Sequence, residues 1–570
     1  MNNPRIFLWV ALALILFVNY ETWMRDYATR PAATVAGKAG TSAAAPAELG
    51  ETLPTAGQTE PAAAAGTAPT AAAATTGAAV AAASGAALPE VGMLTVRTDV
   101  LDMQISLRGG ELFRADLLQY PLVKNKPDEP VRILRREGPD ALYVLQTGLA
   151  GSAADQARPT HLATFESDFK RFELQPGMDT LRVPLVWKSA DGVTVTKTYT
   201  FKRGSYRVDL DYAVQNGSAA EWQAASYAQI LHDMPPVARS YFNVSSYAFH
   251  GPAIYDGKKY RKLKIDDDED AKLTQDITGG WIAALQHHFV SALVPPVDQS
   301  FHYTLKARGH EYLATVIGPT KAIAAGETGT YKQTLFIGPK LQAQLETTGP
   351  ELERVADYGH LTFLAKPLFI VLEFVHKIFG NWGVAIILTT FLLKLAFYPL
   401  SEASGKSMAK MKHLSPRMKN LQETYKDDRE KLGKAMMELY KREKINPAAG
   451  CLPIVIQLPV FLAFYWVLLE SVEMRQAPFF GWLQDLSSQD PYYILPIIMA
   501  GAMFLQYKLQ PTPADPVQAK VFMILPLVMS VTFAFFPAGL VLYWVTNTVL
   551  SIAQQWNINR RIESRAAAQR

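Results

Sequence analysis

One charged side chain stands well inside a long apolar run. It is Lys394, in Ile386-Ile387-Leu388-Thr389-Thr390-Phe391-Leu392-Leu393-Lys394-Leu395-Ala396-Phe397-Tyr398-Pro399-Leu400. A lysine near the centre of a membrane span costs about 2.5–3.5 kcal/mol, so such a residue faces water or a partner rather than hydrocarbon. Lys394 precedes Leu400 by roughly 9 Å of helix, so its stem also permits snorkelling toward headgroups. No acidic residue stands well inside the other apolar runs to neutralise it. The expectation is an unpaired, water-facing cation on a polar path into or through a membrane.

Other reactive chemistry is sparse. The single cysteine, Cys451, excludes an intramolecular disulfide framework and any multi-cysteine zinc site. His287 and His288 are adjacent, a spacing that does not aim both rings at one ion. Gly405-Lys406-Ser407 imitates the end of a phosphate-binding loop, but the position needing the first glycine is Leu400 and no strand precedes it. No nucleophile elbow or paired acid-base motif is evident. Neither an enzyme, a metal nor a small-molecule cofactor is expected.

The elements that must position Lys394 follow from composition. Residues 1–27 read as a transmembrane anchor: Arg5 precedes the apolar run Ile6–Tyr20, and Trp9, Tyr20 and Trp23 suit an interface. No small-residue cleavage site follows promptly, which favours an uncleaved anchor. Residues 28–90 form an Ala/Thr/Pro-rich linker, aromatic-free from Pro31 to Glu90, and are expected to be disordered. Residues 91–342 read as a large antiparallel β-sandwich. There Val193, Val195, Tyr199 and Phe201 alternate with polar residues, turn at Arg203-Gly204-Ser205, and resume at Tyr206, Val208, Leu210, Tyr212 and Val214. Further strands are expected at 142–146, 181–187, 312–317 and 331–337. Residues 343–380 connect this domain to the rest. Apolar residues 361–379, interrupted by Lys366, Glu373, His376 and Lys377, suit a helix lying in the interface, with a helix packed under the β domain as the alternative.

Residues 381–556 hold five apolar runs, at about 382–400, 451–471, 492–507, 521–536 and 538–556; with the anchor this makes six spans, an all-α membrane bundle. The insert 401–449 and the tail 557–570 are basic. Twelve Lys or Arg face seven Asp or Glu over residues 401–450, whereas 473–490 has three acids and one Arg. The positive-inside rule places the insert, the tail and the N-terminus in the cytoplasm and the β domain outside. Within the insert, Met408, Met411, Leu414, Met418 and Leu421 recur at helical steps, as do Leu432, Met436, Leu439 and Tyr440. Lys426-Asp427-Asp428 makes a turn between them. The methionine stripe glues such a hairpin together and can also accept partners. Lys410, Lys412, Arg417 and Lys419 suit headgroups or ribosomal RNA.

Several ordered motifs then carry a resemblance. Asn381-Trp382-Gly383, Lys394, Tyr398-Pro399-Leu400 and Ser407-Met408-Ala409-Lys410-Met411 resemble the second span and following loop of the YidC membrane-protein insertases of the Oxa superfamily, in their Gram-negative bacterial form with a large periplasmic domain. So do Asn446-Pro447, Gly450-Cys451-Leu452-Pro453, Gln457-Leu458-Pro459, Arg475-Gln476-Ala477-Pro478-Phe479, Asp490-Pro491-Tyr492-Tyr493-Ile494-Leu495-Pro496 and Pro537-Ala538-Gly539-Leu540-Val541-Leu542-Tyr543-Trp544. In the β domain, Gly251-Pro252-Ala253-Ile254-Tyr255 and Leu285-Gln286-His287-His288-Phe289 are similar too. The resemblance implies a five-span insertase core in the inner membrane, with a hydrophilic groove open to cytoplasm and lipid and closed outside. Lys394 occupies the place of a basic residue that is often Arg, keeping the charge but losing the planar fork. Gln457, Tyr543 and Trp544 are implied near the groove or the substrate's path, with interhelical bonding and aromatic packing as their alternative roles. A client's apolar span would slide along a lipid-facing wall of the third and fifth C-terminal helices. Implied partners are nascent membrane proteins, the Sec translocon, the ribosome and signal-recognition machinery, and lipids. Two other readings of the residues remain: a small-anion transporter or channel, and an envelope carbohydrate-binding protein.

Overall fold

The computed structural model describes residues 49–54, 92–137, 141–151, 156–235, 248–425, 428–443, 452–509 and 516–568. The anchor at 1–27 and most of the linker lie outside the described residues.

Alternation builds the β domain. Val193–Lys202 buries every other residue, pairs with Arg207–Asn216, and turns through Gly204 at φ 68°. The strands expected around 142–146, 181–187, 312–317 and 331–337 are present and longer: Leu142–Ala150, Thr180–Lys188, Glu311–Ile317 and Thr328–Pro339. The strands form an eleven-stranded and an eight-stranded sheet whose apolar faces share one core. Among the described residues, strand pairing is antiparallel except for Met93–Arg97 beside Arg171–Glu173.

On the strand Val193–Lys202 one inward position is not apolar. Lys197 lies between Val195 and Tyr199 and is fully buried. Its ammonium donates to the carbonyls of Gly109 (2.7 Å), Gly110 (3.3 Å) and Thr147 (3.3 Å), matching its three N–H groups. The rings of Phe165, Tyr199 and Tyr212 surround it. Burial pulls its pKa well below the usual lysine range.

The expectation of a structureless linker over 28–90 needs correcting at one place. Leu49–Glu51 forms a 3-10 turn against the β domain, closed by Thr52, whose hydroxyl donates to Leu49 O at 2.7 Å. A leucine able to enter the sheet's apolar surface and a glycine allowing close approach distinguish this stretch from the Ala/Thr repeats around it.

Nine α-helices are described after the sheets: α1 (Gln342–Thr348), α2 (Thr362–Phe379), α3 (Trp382–Ala396), α4 (Tyr398–Thr424), α5 (Arg429–Arg442), α6 (Leu452–Glu470), α7 (Ile494–Leu509), α8 (Pro516–Phe533) and α9 (Ala538–Ala568). The Asn381-Trp382-Gly383 motif organises the start of α3. Asn381 caps the helix by accepting from Val384 N at 3.0 Å, and its amide donates to Phe479 O at 2.9 Å. Trp382 stacks on His376 at 3.9 Å, and Gly383 lies under Phe479, where a Cβ would meet the ring at 2.0 Å. Asp490 caps α7, accepting from Leu495 N at 2.7 Å.

The run expected as one span over 382–400 is broken. α3 ends at Ala396 and α4 leaves it at 62°. Pro399 explains the break: within α3 it would remove a hydrogen bond and clash, whereas in the first turn of α4 its missing N–H is not needed. The helix begun by the last apolar run instead continues unbroken through basic residues to Ala568. Among the described residues no single helix is both long and apolar enough to cross a membrane; α3 with the first turns of α4, as a bent pair, meets that test.

The β domain grips the end of α6 and the loop after it. Lys340 Nζ lies 4.0 Å from Glu470 Oε2 with both side chains buried, and His287 Nε2 donates to Leu469 O at 3.0 Å. Beyond α6, Arg475 donates to Pro121 O at 2.9 Å and Tyr358 OH meets Ser471 Oγ at 3.4 Å. Burial lowers Lys340 to about 8, with Glu470 the main opposing influence. His287 and His288 stack at 3.8 Å and serve this junction.

Candidate functional site

Lys394 sits two residues from the end of α3, half-buried, where the bend exposes the helix end to α6 and α9. Its Nζ donates to Ser551 Oγ at 2.8 Å, and that hydroxyl donates onward to Asn547 O at 2.7 Å. From α6, Gln457 donates to Asn547 Oδ1 at 2.6 Å. Three helices thus meet through side-chain hydrogen bonds around one small, partly open cavity. Its lining includes Thr390, Lys394, Ser401, Gln457, Tyr543 and Asn547, and none of the described lining residues is acidic. The expected unpaired cation therefore has a neutral hydroxyl partner instead of none. A hydroxyl shares the ammonium's protons without cancelling its charge, so the cavity keeps a positive field in surroundings of low dielectric.

Three of the four residues singled out for the groove come together: Lys394, Gln457 and Tyr543. Tyr543 is buried and stacks on Phe464 at 4.6 Å. Trp544 turns away from the cavity, packing edge-on against Phe461 at 4.8 Å and beside Phe533 at 5.3 Å. Adjacent helical residues diverge by about 100°, so Tyr543 and Trp544 cannot share one face. The third apolar run, α7, does not contribute to the described lining; the first, second and fifth do.

Asn547 and Ser551 were missed in the sequence. The signal was available: Tyr543, Asn547 and Ser551 recur at four-residue steps, one stripe of an otherwise apolar helix. Thr390 stands four residues before Lys394 on the same face, its hydroxyl donating back to Ile386 O at 2.6 Å.

In the insert, α4 and α5 pack through Leu414 and Met418 against Met436, Leu439 and Tyr440, so this part of the stripe is hairpin glue. Asp428 caps α5 by accepting from Lys431 N at 3.0 Å. Arg417 is exposed and pairs with Glu443 at 2.9 Å. Met408, Lys410, Met411, Lys412 and Lys419 lie on α4, but their side chains are outside the described ones. Gly405, of the false phosphate-loop motif, packs under Ile558 of α9, where a Cβ would approach to 3.0 Å.

Comparison with known proteins follows the same division of the chain. The model of the YidC periplasmic domain matches residues 93–371, and that of the 60Kd inner membrane protein matches residues 374–565. The chain is 45% identical over 572 residues to the membrane protein insertase YidC of Thioalkalivibrio sulfidiphilus, covering 99% of each. It is 46% identical over 475 residues to that of Methylococcus capsulatus, covering 83% of this chain and 86% of the relative. A solved structure, an active YidC insertase crystal structure with the first transmembrane domain resolved, aligns at 19% identity and TM-score 0.37 over 81% of this chain and 94% of that one. With a β-rich periplasmic domain and a helical inner-membrane region matched in order along nearly its whole length, the chain belongs to the YidC family of membrane protein insertases.

Proposed function

We propose that this insertase works through the cavity between α3, α6 and α9. A client's polar or acidic outer segment enters from the cytoplasmic side and is held loosely by Lys394. Its apolar span meanwhile meets lipid along the exposed helix faces. The observation that carries this reading is the half-buried Lys394, satisfied by Ser551 but lined by no described carboxylate. A hydrated cationic cavity shortens the polar segment's path across hydrocarbon. Transfer of the client's apolar surface, at about 25 cal/mol per Å², drives its release into lipid. No nucleotide or covalent step is needed.

Exposed apolar faces support a membrane setting for the helical region. Phe363, Ile370, Phe374 and Ile378 project from α2, as do Ile497, Phe504 and Leu505 from α7. On α8, Val521, Ile524, Leu527, Val528 and Val531 do the same. We read α2 as lying in the outer interface, with its other face packed on the helical core. We read α3 with the start of α4, α6, α7, α8 and α9 as the five spans, preceded by the anchor at 1–27. The termini and the α4–α5 hairpin then lie in the cytoplasm. On this topology the basic hairpin meets headgroups, the ribosome or the signal-recognition machinery, and the helical core sits beside the Sec translocon.

The test is replacement of the native chain by charge variants in depleted cells. Lys394→Glu should impair clients with acidic outer segments, while Lys394→Arg should insert them normally. Equal insertion by all three chains would reduce Lys394 to a snorkelling residue.

A further inference from the structure

A second polar cluster lies in the β domain, away from the cavity. Gln146, Gln229, Glu111 and His161 are each nine-tenths buried or more. Glu111 accepts from Arg136 (Nη2, 2.9 Å) and from Gln146 Nε2 (2.8 Å), and Gln229 Nε2 donates to Gln146 Oε1 at 2.7 Å. Gln229 Oε1 is left without a partner. His161 Nδ1 accepts from Tyr227 OH at 2.6 Å, which leaves Nε2 as the ring's N–H donor. That N–H reaches outward to Gly50 O at 3.0 Å, and Gln146 Nε2 approaches the same oxygen at 3.4 Å.

The segment that supplies this oxygen is read residue by residue. Leu49 packs with Val144, Leu231 and Leu313. Gly50 is closely approached, since a Cβ there would lie 2.6 Å from Leu231 Cδ2. Glu51 faces Arg108 at 3.9 Å on the exposed rim. One apolar anchor, one carbonyl captured by a buried histidine and one peripheral charge are the parts of a peptide-recognition site. The cluster's polar atoms are mostly satisfied by one another, so the site persists when its occupant leaves.

We propose that this recess on the eleven-stranded sheet binds short peptides of the pattern leucine–glycine–acidic residue, and that the chain's own Leu49–Glu51 is its resident, releasable occupant. The linker is thereby latched to the β domain partway along its length. Covalent attachment raises the local concentration of the occupant, so a competitor must be added in excess to displace it.

The test uses the full chain in detergent with a photo-crosslinking residue at Leu49. Crosslinks should map to Trp222–Asp233 and Glu311–Ile317. They should fall several-fold with excess synthetic peptide of sequence Glu-Leu-Gly-Glu-Thr-Leu-Pro, and not with the same peptide carrying Val for Gly. His161→Phe should abolish them. Because that variant alters the β domain, Gly50→Val provides an independent check that leaves the recess intact and should also abolish them. Absence of crosslinks to these strands overturns the proposal. So do crosslinks that persist undiminished through peptide excess, which would make the turn a fixed part of the fold.

Discussion

Lys394 and its neighbours show how much one residue's character depends on what it touches. The charge was legible because a lysine in an apolar run is conspicuous. Its Ser551 partner was not, because serine is unremarkable until its helical stripe is aligned with another helix. The stripe makes a graded prediction. Ser551→Ala should leave insertion of acidic-segment clients near normal, since the field comes from the ammonium and the hydroxyl only steadies it. Lys394→Glu reverses the field and should not be rescued by any change at Ser551. Gln457 and Asn547 join α6 to α9 with one side-chain hydrogen bond. Such bonds in membrane bundles contribute about 0.6–2 kcal/mol, so Gln457→Leu should lower the melting temperature modestly in detergent. A double-mutant cycle with Asn547→Leu measures that bond directly, and zero coupling would mean that it contributes nothing.

At the scale of elements, the junction between the β domain and α6 carries the sharper consequence. Lys340 and Glu470 are buried together at 4.0 Å. Removing one member of such a pair strands the other, a destabilisation of about 3–5 kcal/mol, whereas replacing both by neutral groups of similar size is far milder. Lys340→Met should therefore lower stability strongly, and Lys340→Met with Glu470→Gln should recover most of it, as read by denaturant midpoint. Equal losses in the single and double variants would show that the two groups are not coupled. Gly383→Ala should disturb the start of α3 through Phe479, shifting the bundle without touching the cavity. Hydrogen exchange at Val384 and Ala385 reads this effect. Neither junction was visible from periodicity, which reports the face of one element but not the face it meets.

For the molecule as a whole, buried histidines make the periplasmic domain sensitive to acid. Burial holds His161 and His287 down to about 4 and His232 to about 3. An unfolded chain binds these protons below about 6.5. Between about pH 6.5 and 4 the unfolded state therefore holds more protons, so stability rises with pH across that window and falls on acidification. The denaturant midpoint of the full chain should drop between pH 7 and pH 5, and His232→Phe, which keeps the stacked ring beside Tyr143, should reduce that drop. A midpoint independent of pH over this range would contradict the argument.

Local pattern alone determined a great deal of this chain. Period-two alternation placed its strands, apolar runs placed its core helices, motifs in order marked its family, and charge marked Lys394 as the residue to follow. These are properties of one segment at a time, and side-chain spacing along a segment is written in the sequence. Tertiary structure decided the rest, because each remaining feature is a meeting of distant segments. It broke the 382–400 run at Phe397 and brought Ser551 and Asn547 to Lys394 and Gln457. It turned Trp544 away from Tyr543, buried Lys197 among three carbonyls, and seated Leu49–Glu51 on the β domain. Which residues share a space depends on how helices cross and sheets stack, and no spacing within a single run encodes that.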